Sequence, residues 1–440
     1  MAHYSLPNIG DDDPGARIPR RYAWVVFALT FGLLLSDYMS RQVLNAVFPL
    51  LKAEWALTDA RLGLLSGVVA LMIGLLTFPL SLLADRFGRV KSLALMAVVW
   101  SLATLGCGLA QDYPQMLAAR FLVGVGEAAY GSVGVAVILS VFPKHMRATL
   151  TGAFMAGGMF GSVLGMALGG AVAAHMGWRW AFGAMALFGL ALALLYPIVV
   201  REKRISPKET QPALAGAAPV ARLPLRSLVN SRAVVGAYIG SGLQLFVGGT
   251  VIVWLPSYLN RYYAMATGAA GATSAVIVLA SGLGMTACGL LSDRLCRRSP
   301  SGKFSLAIAC CVGSCVLLSL AFALPHGTPQ LAMIALGMFL AAGTSGPAGA
   351  MVANLTPLQI HGTAFAMLTL VNNLLGLAAG PLVTGMLADR LGLAKAFQLV
   401  PLIGLASALV FYYAKRHYRT DVQRLVASEP ARLDGNEAPV

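Results

Sequence analysis

Apolar residues arrive in long runs that leave no polar face, and short polar stretches separate the runs. A helix that crosses a bilayer needs roughly 20 apolar residues. Runs of that kind lie near 22–50, 62–84, 92–110, 114–140, 148–174 and 179–200. After a polar interval they resume near 233–258, 270–292, 304–324, 330–354, 362–388 and 395–414. The pattern predicts twelve spanning helices and an all-α membrane protein. Glycine is dense within several runs, above all 148–174, and small residues let membrane helices approach closely.

Composition supports the bilayer as solvent. Of 440 residues, 58% are hydrophobic and 11% charged, against about 25% charged in a soluble domain. The net charge of +15 would suit a nucleic-acid partner, but the basic residues sit in short loops between the runs, which is a mark of membrane topology and not of nucleic-acid binding. Arg17, Arg20 and Arg21 precede the first run; Arg86, Arg89 and Lys91 follow the second; Lys144 and Arg147 follow the fourth. Arg294, Arg297, Arg298 and Lys303 follow the eighth, and Lys415, Arg416 and Arg419 follow the last. The opposite loops hold only Lys52, Arg61, Arg179, Arg261, Arg390 and Lys395. Positive-inside places both termini in the cytoplasm and the chain in the cell's inner membrane. The predicted organisation is an N-tail over 1–21, a first half over 22–200, a linker over 201–232, a second half over 233–414 and a C-tail over 415–440. The linker carries Pro207, Pro212, Pro219 and Pro224 among small and charged residues, a composition that connects but does not pack.

The halves resemble each other. Asp85-Arg86-Phe87-Gly88-Arg89 follows the second run, and Asp293-Arg294-Leu295-Cys296-Arg297 follows the eighth. Pro49 matches Pro256; Gly170, Gly177, Ala181 and Phe182 match Gly385, Gly392, Ala396 and Phe397, in the same order. Two six-span halves in one orientation imply a parallel repeat with a solute path between them.

These motifs resemble the major facilitator superfamily along nearly the whole chain. The loop from Ser81 to Val90 is similar to the superfamily's Gly-x-x-x-Asp-Arg-x-Gly-Arg-Arg signature, with Ser81 and Val90 departing from it. Arg120, Gly124 and Gly126 follow its fourth-span pattern. Gly124-Val-Gly126-Glu127-Ala-Ala-Tyr130 with Phe142-Pro143 is similar to Spinster-like transporters, and the first-span and Gly-x-x-Glu-Ala stretches are similar to anion:cation symporters. The chain sits near the border of the two. In Spinster-like chains the first span commonly reads Asn-Tyr-x-Asp-Arg; here it reads Asp37-Tyr38-Met39-Ser40-Arg41, with the acid three places earlier. The resemblance implies the major facilitator fold and a cytoplasmic gate at Asp85, Arg86, Arg89, Asp293 and Arg294.

Four charges lie well inside the runs: Asp37, Arg41, Arg120 and Glu127. Each costs roughly 3 kcal/mol or more in lipid and must face a cavity or a partner. Asp37 and Arg41 share a face at i, i+4. Helical rise puts Asp37 about 22 Å above the inner start of its span and Arg120 about 10 Å below the outer end of its own, similar depths in a core roughly 30 Å thick. A pairing of Asp37 with Arg120 is therefore expected. Functionally, Asp37 and Glu127 are candidates for proton coupling; structurally, the same charges would lock the first half together. Arg41, Arg120, Tyr38, Tyr130, Gln244, Asn372 and Asn373 are candidates for substrate contact. Trp254 and Tyr258 are expected in an interfacial aromatic belt, and His361 in solvent. No cofactor, nucleotide loop, metal cluster or enzymatic triad stands out. The function expected is proton-coupled transport of a small organic solute, favouring a carboxylate because of the two arginines, by a monomer in the lipid bilayer. Export of an amphiphile and nutrient sensing on a transporter fold are the alternatives.

Overall fold

A computed structural model of the chain describes residues 18–202, 231–298, 301–357 and 360–428. Most of the N-tail and linker, and the end of the C-tail, lie outside the described residues. Among the described residues every regular element is helical. Twelve helices are long and apolar enough to span: α1 Arg20–Trp55, α2 Asp59–Ala84, α3 Arg89–Leu109, α4 Tyr113–Val141, α5 Thr149–Met176 and α6 Trp178–Val199 form one half. The other half comprises α7 Arg232–Tyr262, α8 Thr267–Leu295, α9 Gly302–Ala323, α10 Thr328–Leu355, α11 His361–Leu391 and α12 Leu393–Gln423. The first eleven agree with an apolar run to within about five residues, while α12 runs on past the expected end at 414 into the expected C-tail. The last helix continues to Ser428, where Asp421 accepts hydrogen bonds from the Ser231 hydroxyl (2.8 Å) and the Ala233 amide (2.9 Å).

Backbone geometry repeats between the halves. Ala56 and Ala264 take positive φ, 49° and 51°, just after α1 and α7. Gly177 and Gly392, at 90° and 83°, turn the chain from α5 into α6 and from α11 into α12. α4 and α10 both break near the middle: α4 at Ala128–Ala129, α10 at Gly343–Thr344.

The halves touch mainly at the end far from the termini. Gly63 of α2 presses on the Pro381 carbonyl of α11, and a Cβ on Gly67 would lie 2.7 Å from the Ala378 carbonyl oxygen. Over Asn372–Ala378, α11 winds as a π-helix, a local widening often found where a helix serves function. α5 meets α8 through Gly170 and Gly271. Phe48 of α1 packs on Trp254 of α7 with ring centroids 5.3 Å apart. Trp254 and Tyr258 are fully buried, so they are not belt residues; Trp254 Nε1 donates to the Pro381 carbonyl at 3.0 Å and Tyr258 accepts from Gln330 at 3.1 Å. Burial with a hydrogen-bond partner is what an indole or phenol needs away from an interface.

A charged clasp closes this end. Asp59, at the start of α2, is buried and accepts two hydrogen bonds from Arg261 of α7, at 2.6 and 2.8 Å, and one from Lys52, at 2.5 Å. The carboxylate of Asp389, on α11, accepts from the backbone amides of Asp59 (2.7 Å) and Ala60 (2.9 Å), filling the orphan donors of the α2 N-terminus with the favoured charge. Asp59→Asn should loosen the clasp. The expected result is a severalfold rise in labelling of a cysteine placed at Ser257, buried at this end, by a membrane-impermeant maleimide. Unchanged labelling would show that the clasp does not hold the halves together.

Candidate functional site

The four interior charges converge where α1 crosses the break in α4. Arg41 Nε lies 3.0 Å from Asp37 Oδ1 and 2.7 Å from Glu127 Oε2, and its Nη2 is 3.0 Å from Asp37 Oδ1. Ser40 Oγ donates to Glu127 Oε1 at 3.0 Å and lies 2.7 Å from the Asp37 carbonyl oxygen. One guanidinium thus serves two carboxylates. The side chains of Asp37 and Glu127 are 3% and 0% exposed, that of Arg41 21%, so the cation is the member of the cluster that reaches accessible space.

Local structure explains why Glu127 needs this partner. It is the last residue of the first helical segment of α4, where helix carbonyls already carry partial negative charge. The Ala128 carbonyl freed by the break accepts the Thr77 hydroxyl of α2 at 2.7 Å. Arg41 and Ser40 answer the carboxylate itself.

The expected Asp37–Arg120 pair does not form. Asp37 is taken by Arg41, one turn along its own helix. Arg120 is 1% exposed and donates to backbone, to the Leu65 carbonyl at 3.3 Å and the Ser40 carbonyl at 3.2 Å. It ties α4 to α2 and α1 and has no face on the accessible space.

A cavity of about 280 Å³ lies between the halves. Tyr38 and Met159 line it from the first half; Gln244, Ser281, Met338 and Leu377 line it from the second. Arg41 stands behind it, its guanidinium carbon 4.8 Å from the Tyr38 ring centroid. A cation on an aromatic face is attracted by the ring quadrupole, so Tyr38 connects the charged cluster to the cavity.

Of the expected contact residues, Tyr38 and Gln244 line the cavity and Arg41 adjoins it. Tyr130 does not: it is buried against Trp100, with centroids 5.0 Å apart, and donates to the Thr30 carbonyl at 2.6 Å. Asn373 faces α2, its Nδ2 donating to the Thr369 carbonyl at 2.9 Å, with Gly74 opposite. Asn372 is half-buried and not among the cavity lining. His361, expected in solvent, is half-buried, with Nε2 2.9 Å from the Thr356 carbonyl oxygen. Among the expected gate residues, Arg86, Asp293 and Arg294 are exposed and Arg89 is half-buried; the Asp85 side chain lies outside the described residues. Gly88, at φ 96°, makes the turn, and Glu202 accepts from the Arg89 and Val90 amides at 2.9 and 2.7 Å. Sequence reasoning missed Ser40 as a carboxylate partner, the clasp around Asp59, and the methionines of the cavity wall. The only signal for the clasp was the scarcity of charge at that end. Among the described residues no group of His, Cys, Asp and Glu could hold a metal ion.

The model of the Major Facilitator Superfamily matches residues 30–374. The D-galactonate transporter of Escherichia coli is 25% identical, over 89% of this chain and 95% of its own. Human protein spinster homolog 1 is 27% identical, over 88% of this chain and 77% of its own. A crystal structure of a bacterial homologue of the human lysosomal transporter Spinster, inward-facing and unoccupied, superposes with a TM-score of 0.81 at 20% identity, covering 92% of this chain and 99% of the other. A galactonate transporter and a Spinster homologue are thus both relatives, as the motifs predict. With a matched family model, twelve spans, a repeated half and a cavity between the halves, this chain belongs to the Major Facilitator Superfamily and is a transporter, not an enzyme.

Proposed function

We propose that the chain is a proton-coupled secondary transporter of organic anions that works by alternating access, with both termini in the cytoplasm of a cell whose inner membrane it spans. One observation carries the reading: a single partly accessible guanidinium, Arg41, is shared by two buried carboxylates beside the inter-half cavity. With Asp37 and Glu127 ionised, they offset the charges of Arg41 and Arg120. When either carboxyl takes a proton, the cluster is left one positive charge in excess, and Arg41 loses half its engagement. An anionic solute in the cavity can then replace the lost charge. Desolvation favours a neutral carboxyl and a neighbouring Arg an ionised one, so the opposing pulls let a change in access tip the balance. Relatives named for galactonate transport support the anion reading. A chain closed at the far end, like the inward-facing neighbour, supports the cycle. Protons, solute and lipid are the partners required, and a monomer suffices.

Coupling is tested in proteoliposomes. Asp37→Asn and Glu127→Gln should each reduce accumulation driven by an inward proton gradient at least tenfold while sparing solute exchange at equal pH. In the wild-type protein, uptake should rise as the outer pH falls, because each solute enters with a proton. Wild-type accumulation and pH dependence in both variants would remove the proton from these residues.

The two arginines separate by role. Arg41→Lys keeps the charge but cannot bridge two carboxylates with the planar fork; it should weaken anion binding at least tenfold. Arg120→Lys should lower thermal stability by several degrees and change anion affinity little, because Arg120 is buried and spent on the Leu65 and Ser40 carbonyls and on Cys107. A larger binding loss in Arg120→Lys than in Arg41→Lys would reverse the assignment.

At the cytoplasmic face the doubled Asp-Arg loop supports a latch formed by Asp85, Arg86 and Arg89 with Asp293 and Arg294. Asp85→Asn should slow turnover severalfold while solute binding is kept. Unchanged turnover, together with unchanged labelling of cysteines at that face, would remove the latch.

A further inference from the structure

The cavity wall has a chemistry of its own. Four methionines line it, Met155 and Met159 from α5, Met285 from α8 and Met338 from α10. Between them the wall is flat where glycines replace side chains. A Cβ on Gly158 would lie 2.9 Å from two carbons of the Tyr38 ring, and the Met159 thioether packs directly on Gly282 across the two halves. Thioethers are soft and adaptable, and they make favourable contacts with aromatic rings.

Polar groups in the same wall are few, the hydroxyls of Tyr38, Ser162, Ser281 and Ser345 and the Gln244 amide, and two of those hydroxyls already donate elsewhere. Ser162 Oγ donates to the Gly158 carbonyl at 2.9 Å and Ser281 Oγ to the Ile277 carbonyl at 3.2 Å, so both hydroxyls spend their proton within their own helices. Gln244 donates through Nε2 to Ser314 at 2.9 Å, and a Cβ on Gly404 would lie 3.5 Å from its Oε1. Its Nε2 is thus spent toward α9, while its Oε1 has no hydrogen-bond partner among the described residues. A solute covered with hydroxyl groups would give up more hydrogen bonds to water than these few groups can return. A ring would lose only poorly hydrated surface. An apolar cavity of about 150 Å³ already accepts a benzene ring, so the 280 Å³ here leaves room for a ring, a carboxylate and one ring substituent.

We propose that this cavity selects flat, ring-bearing monocarboxylates, aromatic acids above all, over polyhydroxylated sugar acids. The ring lies among Met155, Met159, Met285 and Met338, and the carboxylate points past Tyr38 toward Arg41. This rests on the anion reading of the same site. It goes beyond that reading by assigning the part of the solute that the anion-binding residues do not touch.

The experiment is equilibrium binding to the purified full-length protein in nanodiscs, using 4-hydroxybenzoate, D-galactonate and the uncharged 4-hydroxybenzyl alcohol. The expected result is 4-hydroxybenzoate binding at least tenfold tighter than either of the others. Met285→Gln and Met338→Gln, similar in size but amide-bearing, should narrow or reverse the preference of the acid with a ring over the sugar acid. D-galactonate binding as tightly as 4-hydroxybenzoate, or tighter, would overturn the ring assignment and leave the anion reading standing. Equal binding of the acid and the alcohol would overturn the anion reading, and with it the placement of the carboxylate. No binding of either acid would overturn both. If one glutamine variant fails to fold, the other carries the test, since they lie on different helices.

Discussion

A guanidinium inside an apolar bundle cannot stand alone, and Arg41 is answered twice, by Asp37 on its own helix and by Glu127 across the interface with α4. Removing one partner of a buried pair is costly because the charge that remains is uncompensated. Here the sharing softens that cost, since either carboxylate alone can still hold the cation. Much of the first half is arranged around this contact. The break in α4 places Glu127, Thr77 receives the carbonyl that the break exposes, and Arg120 fixes the crossing of α1, α2 and α4 through their backbone. A hydrogen-bonded frame therefore surrounds one pair of ionic bonds.

The second half contributes apolar wall and hydrogen-bonding amides but, among the described residues, no comparable interior pair of opposite charges around the cavity. The division is consistent with a parallel repeat whose copies share a backbone and not a chemistry. The positive-φ turns recur at matching places and both fourth helices of the repeat are broken. Yet the position of Asp37 in one half corresponds to Gln244 in the other. The halves thus share the geometry that sets the turns and differ in the charge that lines their interiors.

The spans and the repeat were legible in the sequence because the bilayer imposes a single length and an apolar composition on every crossing. The four interior charges were legible as exceptions to that composition, and the Asp37–Arg41 contact followed from helical spacing. The partner of Glu127 was not legible, since it depends on how α1 rotates against a helix that breaks one residue later. Depth along the membrane suggested Arg120 for Asp37, but depth says nothing about which way a side chain faces. Tyr130 illustrates the same limit: one turn from Glu127 in sequence, it points into the Trp100 core. The methionines could not be assigned either, because a residue that packs against a neighbour and one that lines a cavity have the same composition. The clasp joins residues 330 positions apart, beyond the reach of any local pattern.

Part of that clasp is made with backbone. The carboxylate of Asp389 binds the amides of Asp59 and Ala60, whatever side chains those positions carry. Mutational drift can therefore change Ala60 to almost any amino acid without touching the bond, and proline, which has no amide hydrogen, is the one that removes it. Asp389 has no such latitude. Over time the two ends of this contact would diverge at unequal rates, and no side-chain covariation between 389 and 60 would record that they meet.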